Sequence, residues 1–250
     1  MEGKENNSRK VFLSVLGVAI LIVAVVGISY AAFTFTNEGA EDNTITTGTI
    51  TMSYSEPEAG LSLTNELPMD DATGIGRSAV FDFTVSTSAT GLVAIPYEVN
   101  MTPTFTAAIA TSCTGGTATG TETTKESCEA LGGTFVQGYE MLPASNVKVY
   151  LEAKTTGEYA QVLAPTTIAA KTVEGAPVGG LTASTIRTGS LVLHSTTDDY
   201  TAAAGNTTTS YRLRMWIDED TKVDDWAAGT MYKYALKVNV DSHVDPLGTE

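Results

Sequence analysis

Seven segments of the chain alternate apolar and polar residues with a period of two, and this pattern constrains the fold more than any other feature of the sequence. Successive side chains of a β-strand point to opposite faces, so such a segment is predicted to be a strand with one buried face. The longest segment, residues 231–241, has an apolar face made of Tyr232, Tyr234, Leu236, Val238 and Val240. The other six segments are residues 47–55, 79–86, 92–100, 146–154, 188–195 and 210–218.

The composition also favours strands over helices. Threonine is the commonest residue, with 40 copies, and β-branched residues are enriched in strands. After the N-terminal apolar stretch, no segment keeps a 3.6-residue period over three turns, and only residues 63–74 and 125–133 are each predicted to form a helical turn. Strands without intervening helices predict an all-β fold, an antiparallel jelly-roll-like β-sandwich. We interpret its threonine-rich face as solvated rather than as an ice- or sugar-binding surface.

The sequence predicts a single sandwich domain over residues 44–245. Residues 103–143 are rich in Gly and Thr and are predicted to be an insertion in this domain. Residues 164–187 show little alternation and are predicted to form a second long loop. Pro96 lacks a backbone N–H, and its position inside an alternating segment indicates a sheet edge or a bulge.

An uncharged apolar stretch, residues 11–33, follows the basic residues Lys4, Arg9 and Lys10 near the N-terminus. This order is typical of an export signal, and about 20 apolar residues are also enough to cross a bilayer as a helix. The preceding positive charges place the chain from Phe33 onward outside the cell. Small residues suit cleavage by a signal peptidase, and they occur here at Ser29, Ala31 and Ala32. Residues 1–32 are therefore a removed signal peptide or a retained membrane anchor, and the protein is expected to be secreted or displayed on the cell surface.

The only two cysteines of the chain, Cys113 and Cys128, bracket a Gly/Thr-rich stretch inside the predicted insertion. In an oxidising compartment we expect them to form a structural disulfide, because closing a loop of about 15 residues contributes about 3 kcal/mol. A zinc site is less favoured because the cysteines are far apart and no histidine lies near them in the sequence.

The formal net charge of −15 makes nucleic acid an unlikely partner, since such a chain repels phosphate backbones. It favours divalent cations instead. An acidic stretch after the strand segment 210–218 contains the carboxylates of Asp218, Asp220, Asp224 and Asp225. It is interpreted either as a solvated acidic turn or as a weak Ca²⁺ site, although it lacks the spacing of an EF-hand. No other cofactor is expected.

Catalysis finds little support in the sequence. The chain has two histidines, His194 and His243, and contains neither the H-E-x-x-H pattern of zinc proteases nor the G-x-S-x-G elbow of serine hydrolases. The Gly-rich stretch of residues 114–124 lacks the G-K-[ST] ending of a phosphate-binding loop. We therefore predict that the protein is not an enzyme.

The N-terminal region resembles the TasA/camelysin family of proteins secreted by Gram-positive bacteria. The resemblance covers residues 11–55: a long apolar stretch ending in "SYAAF", a short acidic segment, and then "NTITTGTITMSYS". In this comparison residues 44–52 fill the place of the family's first strand, with Ile50 and Met52 as its apolar pair. Beyond residue 55 the resemblance is architectural only, and the cysteine-containing insertion is not part of the family pattern.

The resemblance implies a jelly-roll subunit of extracellular matrix filaments, freed by a dedicated signal peptidase. In such fibres the N-terminal segment leaves its own subunit and completes the sheet of a neighbour. Here residues 33–43 would be that segment, a flexible stretch with Phe33 and Phe35 on one face of a donor strand. The partner would then be a second copy of the same chain. The metalloprotease activity that goes with the camelysin name is not carried over, because the usual zinc ligands are missing.

The alternative hypothesis is a membrane-anchored binding module on the cell surface. In that case residues 11–33 stay in the bilayer, and the insertion or the acidic stretch recognises a glycan, Ca²⁺ or a protein ligand.

Overall fold

A computed structural model describes residues 34–38, 43–47, 50–56, 60–64, 66–90, 93–120, 124–200, 205–222 and 230–243. The predicted leader, residues 1–32, lies outside these ranges, as do Ser29, Ala31 and Ala32 of the predicted cleavage region. None of the helices within the ranges is long and apolar enough to cross a membrane.

Strands make up most of the described structure. They are β1 Thr34–Glu38, β2 Asn43–Thr47, β3 Ile50–Ser55, β4 Leu61–Thr64, β5 Pro68–Met69, β6 Val80–Ala89, β7 Val93–Pro103, β8 Ser112–Thr114, β9 Thr134–Val136, β10 Glu140–Met141, β11 Val147–Lys154, β12 Ala160–Thr167, β13 Lys171–Val173, β14 Ala176–Val178, β15 Leu191–Tyr200, β16 Gly205–Asp218 and β17 Tyr232–His243. The helical elements are α1 Asp71–Arg77, α2 Lys125–Ala130 and a 3₁₀ turn at Ala144–Asn146.

Two large sheets account for most of these strands. Sheet 1 has the order β1–β17–β7–β15, and β4 and β10 also pair with β17. Sheet 2 has the order β12–β11–β16–β6–β3–β2, and β5 also pairs with β16. The pairings are antiparallel except for the two short ones of β5 and β10. This arrangement confirms the predicted all-β fold with antiparallel sheets.

A single hydrophobic core lies between the two sheets. Both contribute alternate residues of their strands to it, among them Phe81, Phe83, Val85, Ile95, Val99, Val149, Leu213, Leu236, Val238 and Val240. The rings of Phe83 and Tyr211 stack within sheet 2 with their centroids 5.0 Å apart. The hydroxyl of Tyr211 in turn lies 2.9 Å from that of Tyr97 in sheet 1, a buried hydrogen bond between the sheets. Full burial of each such side chain stabilises the fold by about 1.5–3 kcal/mol, so the core fixes which face of each strand is inward.

Most predicted strands and both helical turns are present, and three local predictions need a correction or a refinement. Strand β7 is not an edge strand, because it lies between β15 and β17, and the register shift of the β7–β15 pair falls at Val192/His194. The described ladder with β17 ends at Tyr97, the residue that follows Pro96, so Pro96 itself is paired only with β15 and its predicted edge position is correct locally. Residues 164–187 contain the end of β12 and the hairpin β13–β14 rather than one long loop.

The third difference concerns residues 44–52, which do not form one strand. They belong to β2 and β3, which pair antiparallel with Thr47 opposite Ile50. Only two residues, Gly48 and Thr49, separate the paired ends. A two-residue connection between strands rich in β-branched residues is typical of a β-hairpin, and a glycine is favoured in it.

The cysteine-containing insertion forms a small unit outside the sandwich core. Cys113 and Cys128 are joined by a disulfide, which confirms the predicted pairing. The hairpin β8–β9 and helix α2 surround it, and both cysteines are buried. A Cβ atom at Gly133 would lie 2.8 Å from the sulfur of Cys113, so only glycine fits against the disulfide.

Helix α1 packs on the outer face of sheet 2. Asp70 caps its N-terminus by accepting a hydrogen bond from the backbone N–H of Thr73 at 2.8 Å. Its buried residue Gly74 lies directly over the indole of Trp216, a side chain with 0% exposure that lies outside the main core. The helix therefore excludes water from an apolar side chain on the solvent side of the sheet.

We expect Gly74→Ala to destabilise the protein by about 1–3 kcal/mol, because the new Cβ would lie 2.4 Å from ring atoms of Trp216. The matched control is Gly76→Ala in the same helix, where a Cβ meets no atom within 4 Å. That change should stabilise the helix by up to about 1 kcal/mol. Urea unfolding of the three proteins checks both signs, and equal effects would contradict the close packing of α1 on Trp216.

Candidate functional site

The candidate assembly strand, β1, lies at an edge of sheet 1 in its own subunit. It pairs antiparallel with the C-terminal end of β17, from Thr34 opposite His243 to Glu38 opposite Asn239. Of the two predicted donor residues, Phe35 is opposite Ser242, and Phe33 lies outside the described residues. The core residue Val240 is two positions from Ser242, so Phe35 occupies a register position on the core side of the sheet.

Strand β17 divides its two edges between different partners. One edge pairs with β7 over residues 236–242, and the other pairs with β4 over residues 233–236 and with β1 over residues 239–243. Gly60, just before β4, lies against this second edge, since a Cβ there would be 2.5 Å from the carbonyl oxygen of Leu236. Residues 239–243 of β17, which pair with β1, therefore lie between the stretch that pairs with β4 and the C-terminal end of β17.

A buried ion pair lies on the outer face of sheet 1, beside the stretch of β17 that pairs with β1. The Asp241 side chain is fully buried, and the guanidinium of Arg187 donates to both of its oxygens, with Nη2 2.8 Å from Oδ1 and Nε 2.9 Å from Oδ2. Asn100 on β7 donates a third hydrogen bond to Asp241, of 2.9 Å. Bidentate, charge-assisted bonds of this kind are short and directional, so they hold the segment around Arg187 against β17.

Further hydrogen bonds extend this network across the same face. Asn239 donates to the hydroxyl of Thr102 at 2.8 Å, and that hydroxyl lies 2.6 Å from the hydroxyl of Ser190. Ser242, whose register position is on the core side of β17, donates separately to the backbone carbonyl oxygen of Pro96 at 2.7 Å. Residues 184–190 thus cover buried polar groups of β7 and β17. Together with the ladder to β7, these contacts hold β17 in the sheet.

Sequence reasoning missed this network. Asn239 is on the polar face of an alternating strand, and that pattern normally indicates solvent contact, whereas both Asn239 and Asp241 are 0% exposed. Asn100 begins a glycosylation pattern, Asn-x-Thr, yet it is equally buried and inaccessible. The sequence does carry one signal of the network. Asn100, Asn239 and Asp241 have side chains that form hydrogen bonds, and they lie on β7 and β17, two strands inside sheet 1. Nothing in the sequence around Arg187 points to its partner.

The predicted acidic loop is only partly described, since Asp224 and Asp225 lie outside the described ranges. Asp218 is not solvated: its side chain is 2% exposed and forms ion pairs with Lys148 and Lys171. Asp220 is exposed and lies 3.5 Å from Lys171. Among the residues that the structure describes, no group of three or more His, Cys, Asp or Glu side chains is arranged to hold a metal ion.

The charges around Asp218 offset the cost of its burial. Burial opposes ionisation of the carboxyl group, but the hydrogen bond from Lys171, the backbone N–H of Asp220 and the positive charges of Lys148 and Lys171 together lower the pKa of Asp218. Burial also disfavours the charged form of Lys148 and by itself would lower its pKa, but the hydrogen bonds and negative charges of Asp71 and Asp218 raise the pKa of Lys148 above its usual value. These two shifts favour the charged forms of Asp218 and Lys148, and the ion pairs of the cluster join β11, β13, β16 and α1.

The one histidine whose side chain is described, His194, lies on β15 with its ring centroid 6.2 Å from that of Tyr211. Burial lowers the pKa of His194, which favours the neutral ring. His243 ends β17, opposite Thr34. The prediction of a non-catalytic protein stays a prediction.

Replacing Arg187 should be far more damaging than replacing an exposed cation. Arg187→Met leaves Asp241 buried without its main counter-charge, and we expect a loss of about 3–5 kcal/mol. The matched control is Lys125→Met, which removes an exposed pair with Glu129, 3.7 Å apart. The control should change stability by less than about 1 kcal/mol. Chemical denaturation measures both, and a small effect of Arg187→Met would show that the network is not needed to hold this face.

Comparisons of the chain with protein-family models, with curated proteins and with solved structures found no match. The features that bear on function are therefore the edge strand β1 with its surroundings and the resemblance at residues 11–55.

Proposed function

We propose that the protein is an exported, non-catalytic structural subunit of extracellular filaments, assembled by donation of its N-terminal strand to a second copy. The observation that carries the proposal is the position of β1. It is an edge strand at the start of the described residues, and among the described strands it pairs with β17 alone. A strand in this position can leave its own sheet and occupy the equivalent place in a neighbour.

The exchange replaces each contact by an equivalent one. The five residue pairs between β1 and β17 form equally well within one chain or between two, so the energy difference between the two states is small. Because each subunit both gives and receives a strand, the contact is head-to-tail, and such contacts propagate when the rotation between subunits does not close a ring. Backbone hydrogen bonds would supply affinity, and the side-chain positions facing the core would supply selectivity.

The rest of the structure suits a stable acceptor. In the finer fold that the resemblance implies, the two sheets form a jelly roll, and the Arg187–Asp241 network holds β17 in place beside the donated strand. The disulfide agrees with folding in an oxidising compartment. Removal of residues 1–32 by a signal peptidase would free the N-terminal segment that contains β1 and release the subunit from the membrane.

A second candidate function is a membrane-anchored binding module. It is favoured by a cavity of about 420 Å³ at the end of the sandwich opposite the start of β1. The cavity is lined by Met141, Pro143, Asn146, Asp220, Thr221, Lys222 and Tyr232. A mixed apolar and charged lining suits a small polar ligand, and a retained residue 11–33 segment in the mature protein would favour this alternative.

A cysteine pair at facing positions of β1 and β17 tests strand donation. Thr34 and His243 are directly opposite, and facing residues of antiparallel strands lie about 4.5–5.5 Å apart, within the range that a disulfide bridges. Oxidation of monomeric Thr34→Cys/His243→Cys should lock β1 in its own subunit and block fibre growth. Oxidation after assembly should instead link neighbouring subunits into a covalent ladder. Electron microscopy and non-reducing gels measure the two outcomes.

The matched control is Val173→Cys/Ala176→Cys, a facing pair within the hairpin β13–β14. Its disulfide should leave assembly unchanged. Fibres that yield only cross-links within single subunits would rule out donation of β1. Equal fibre growth by the locked and unlocked monomers would do the same.

A further inference from the structure

Strand β2 forms an outer edge of sheet 2. It pairs with β3 on one side, and within the described ranges no strand pairs with its other side. The backbone N–H and C=O groups on such an edge are a template for another strand. Natural proteins protect edges of this kind by charges, prolines, bulges or short length unless the edge has a partner.

The other long outer edges carry such protection. Strand β15 has Asp198 and Asp199 near its end, and β12 contains Pro165 and pairs with β11 through two register shifts. Strand β2, Asn43–Thr47, contains no charge, proline or glycine, and every residue after Asn43 is β-branched. High β-propensity without charge or proline is the composition of segments that pair between chains. This edge is therefore the least protected of the three.

The connection between β1 and β2 determines which partner can reach this edge. Four residues, 39–42, separate the two strands. The five Cα steps from Glu38 to Asn43 span at most about 17 Å, even when fully extended. A neighbour that holds a donated β1 must therefore lie within that distance of the β2 edge of the donor subunit.

We propose that β2 is a second contact between subunits, in which its open edge docks against the same copy of the chain that receives β1. This inference rests on the proposed strand donation. The partner surface is extended backbone of a second copy, and recognition uses main-chain hydrogen bonds rather than charge. Strand donation and edge docking then act together, because the short connection makes the second contact intramolecular once the first has formed.

Lysines on the edge strand test the proposal in the exported protein produced with its own leader. Thr44 and Thr46 are opposite Ser53 and Thr51, on the face of β3 away from core residue Met52. Thr44→Lys/Thr46→Lys should therefore leave the melting temperature unchanged and slow fibre elongation at least tenfold. The matched control is Ser195→Lys/Thr197→Lys, two exposed alternate residues of edge strand β15, which should elongate like the unmodified protein.

The cysteine pair Thr34→Cys/His243→Cys separates the two proposals when it is added to each variant. Links between subunits in all variants, with unchanged elongation of the β2 variant, would overturn the β2 contact and leave strand donation intact. Equal slowing of the β2 and β15 variants would also overturn it, since added charge alone would explain the result. If no variant shows links between subunits, strand donation fails. The β2 contact, which is defined by the copy that receives β1, then fails with it, whereas in the first outcome it fails alone.

Discussion

The structure depends on the backbone pairing of β17 along both of its edges. Its partner on one edge, β7, is a long central strand, whereas the other edge is shared by β4 and β1, which are short and come from the N-terminal quarter of the chain. The last of the described strands is thus completed by the first of them. Sheet 1 is therefore completed by a contact between residues that are far apart in the sequence. At that edge β1 is held by five residue pairs, fewer than hold any central strand of the sheet.

That asymmetry explains why one edge suits exchange and the other does not. Strand β7 contributes Ile95, Tyr97, Val99 and Met101 to the core, and its outward residues join the network around Asp241. Removing β7 would therefore expose the core and leave buried polar groups unpaired. Among the described strands β1 pairs with β17 alone, through five residue pairs at the edge of the sheet. Loss of β1 opens one row of backbone groups, which an identical strand can fill.

The sequence predicted the features that are set by local alternation and missed those set by distant contacts. Residues such as Phe81, Phe83 and Val85 could be assigned to the core because a half-buried strand shows its inward face as a period of two. The same rule failed for Asn239 and Asp241, because the segment that covers them is supplied by Arg187 and its neighbours, over 50 residues away. Pro96, by contrast, indicates a local edge correctly, since the described ladder of β7 with β17 ends at the next residue, Tyr97. The resemblance places one strand at residues 44–52, whereas the alternation changes phase between Ile45 and Ile50, where the turn between β2 and β3 lies.

The distribution of charge bears on how copies of this chain can associate. The chain has 14 basic residues against 29 acidic ones, and three of the basic residues, Arg187, Lys148 and Lys171, hold the buried carboxylates of Asp241 and Asp218. Cations used in this way contribute little to the outer surface, so two copies repel each other at a distance. Salt weakens this repulsion, whereas backbone hydrogen bonds and buried apolar contacts act only at short range and are little screened. Association through uncharged strands such as β2 therefore suits this chain better than association through complementary charges, and raising the ionic strength should speed the encounter of subunits without weakening the contact they form.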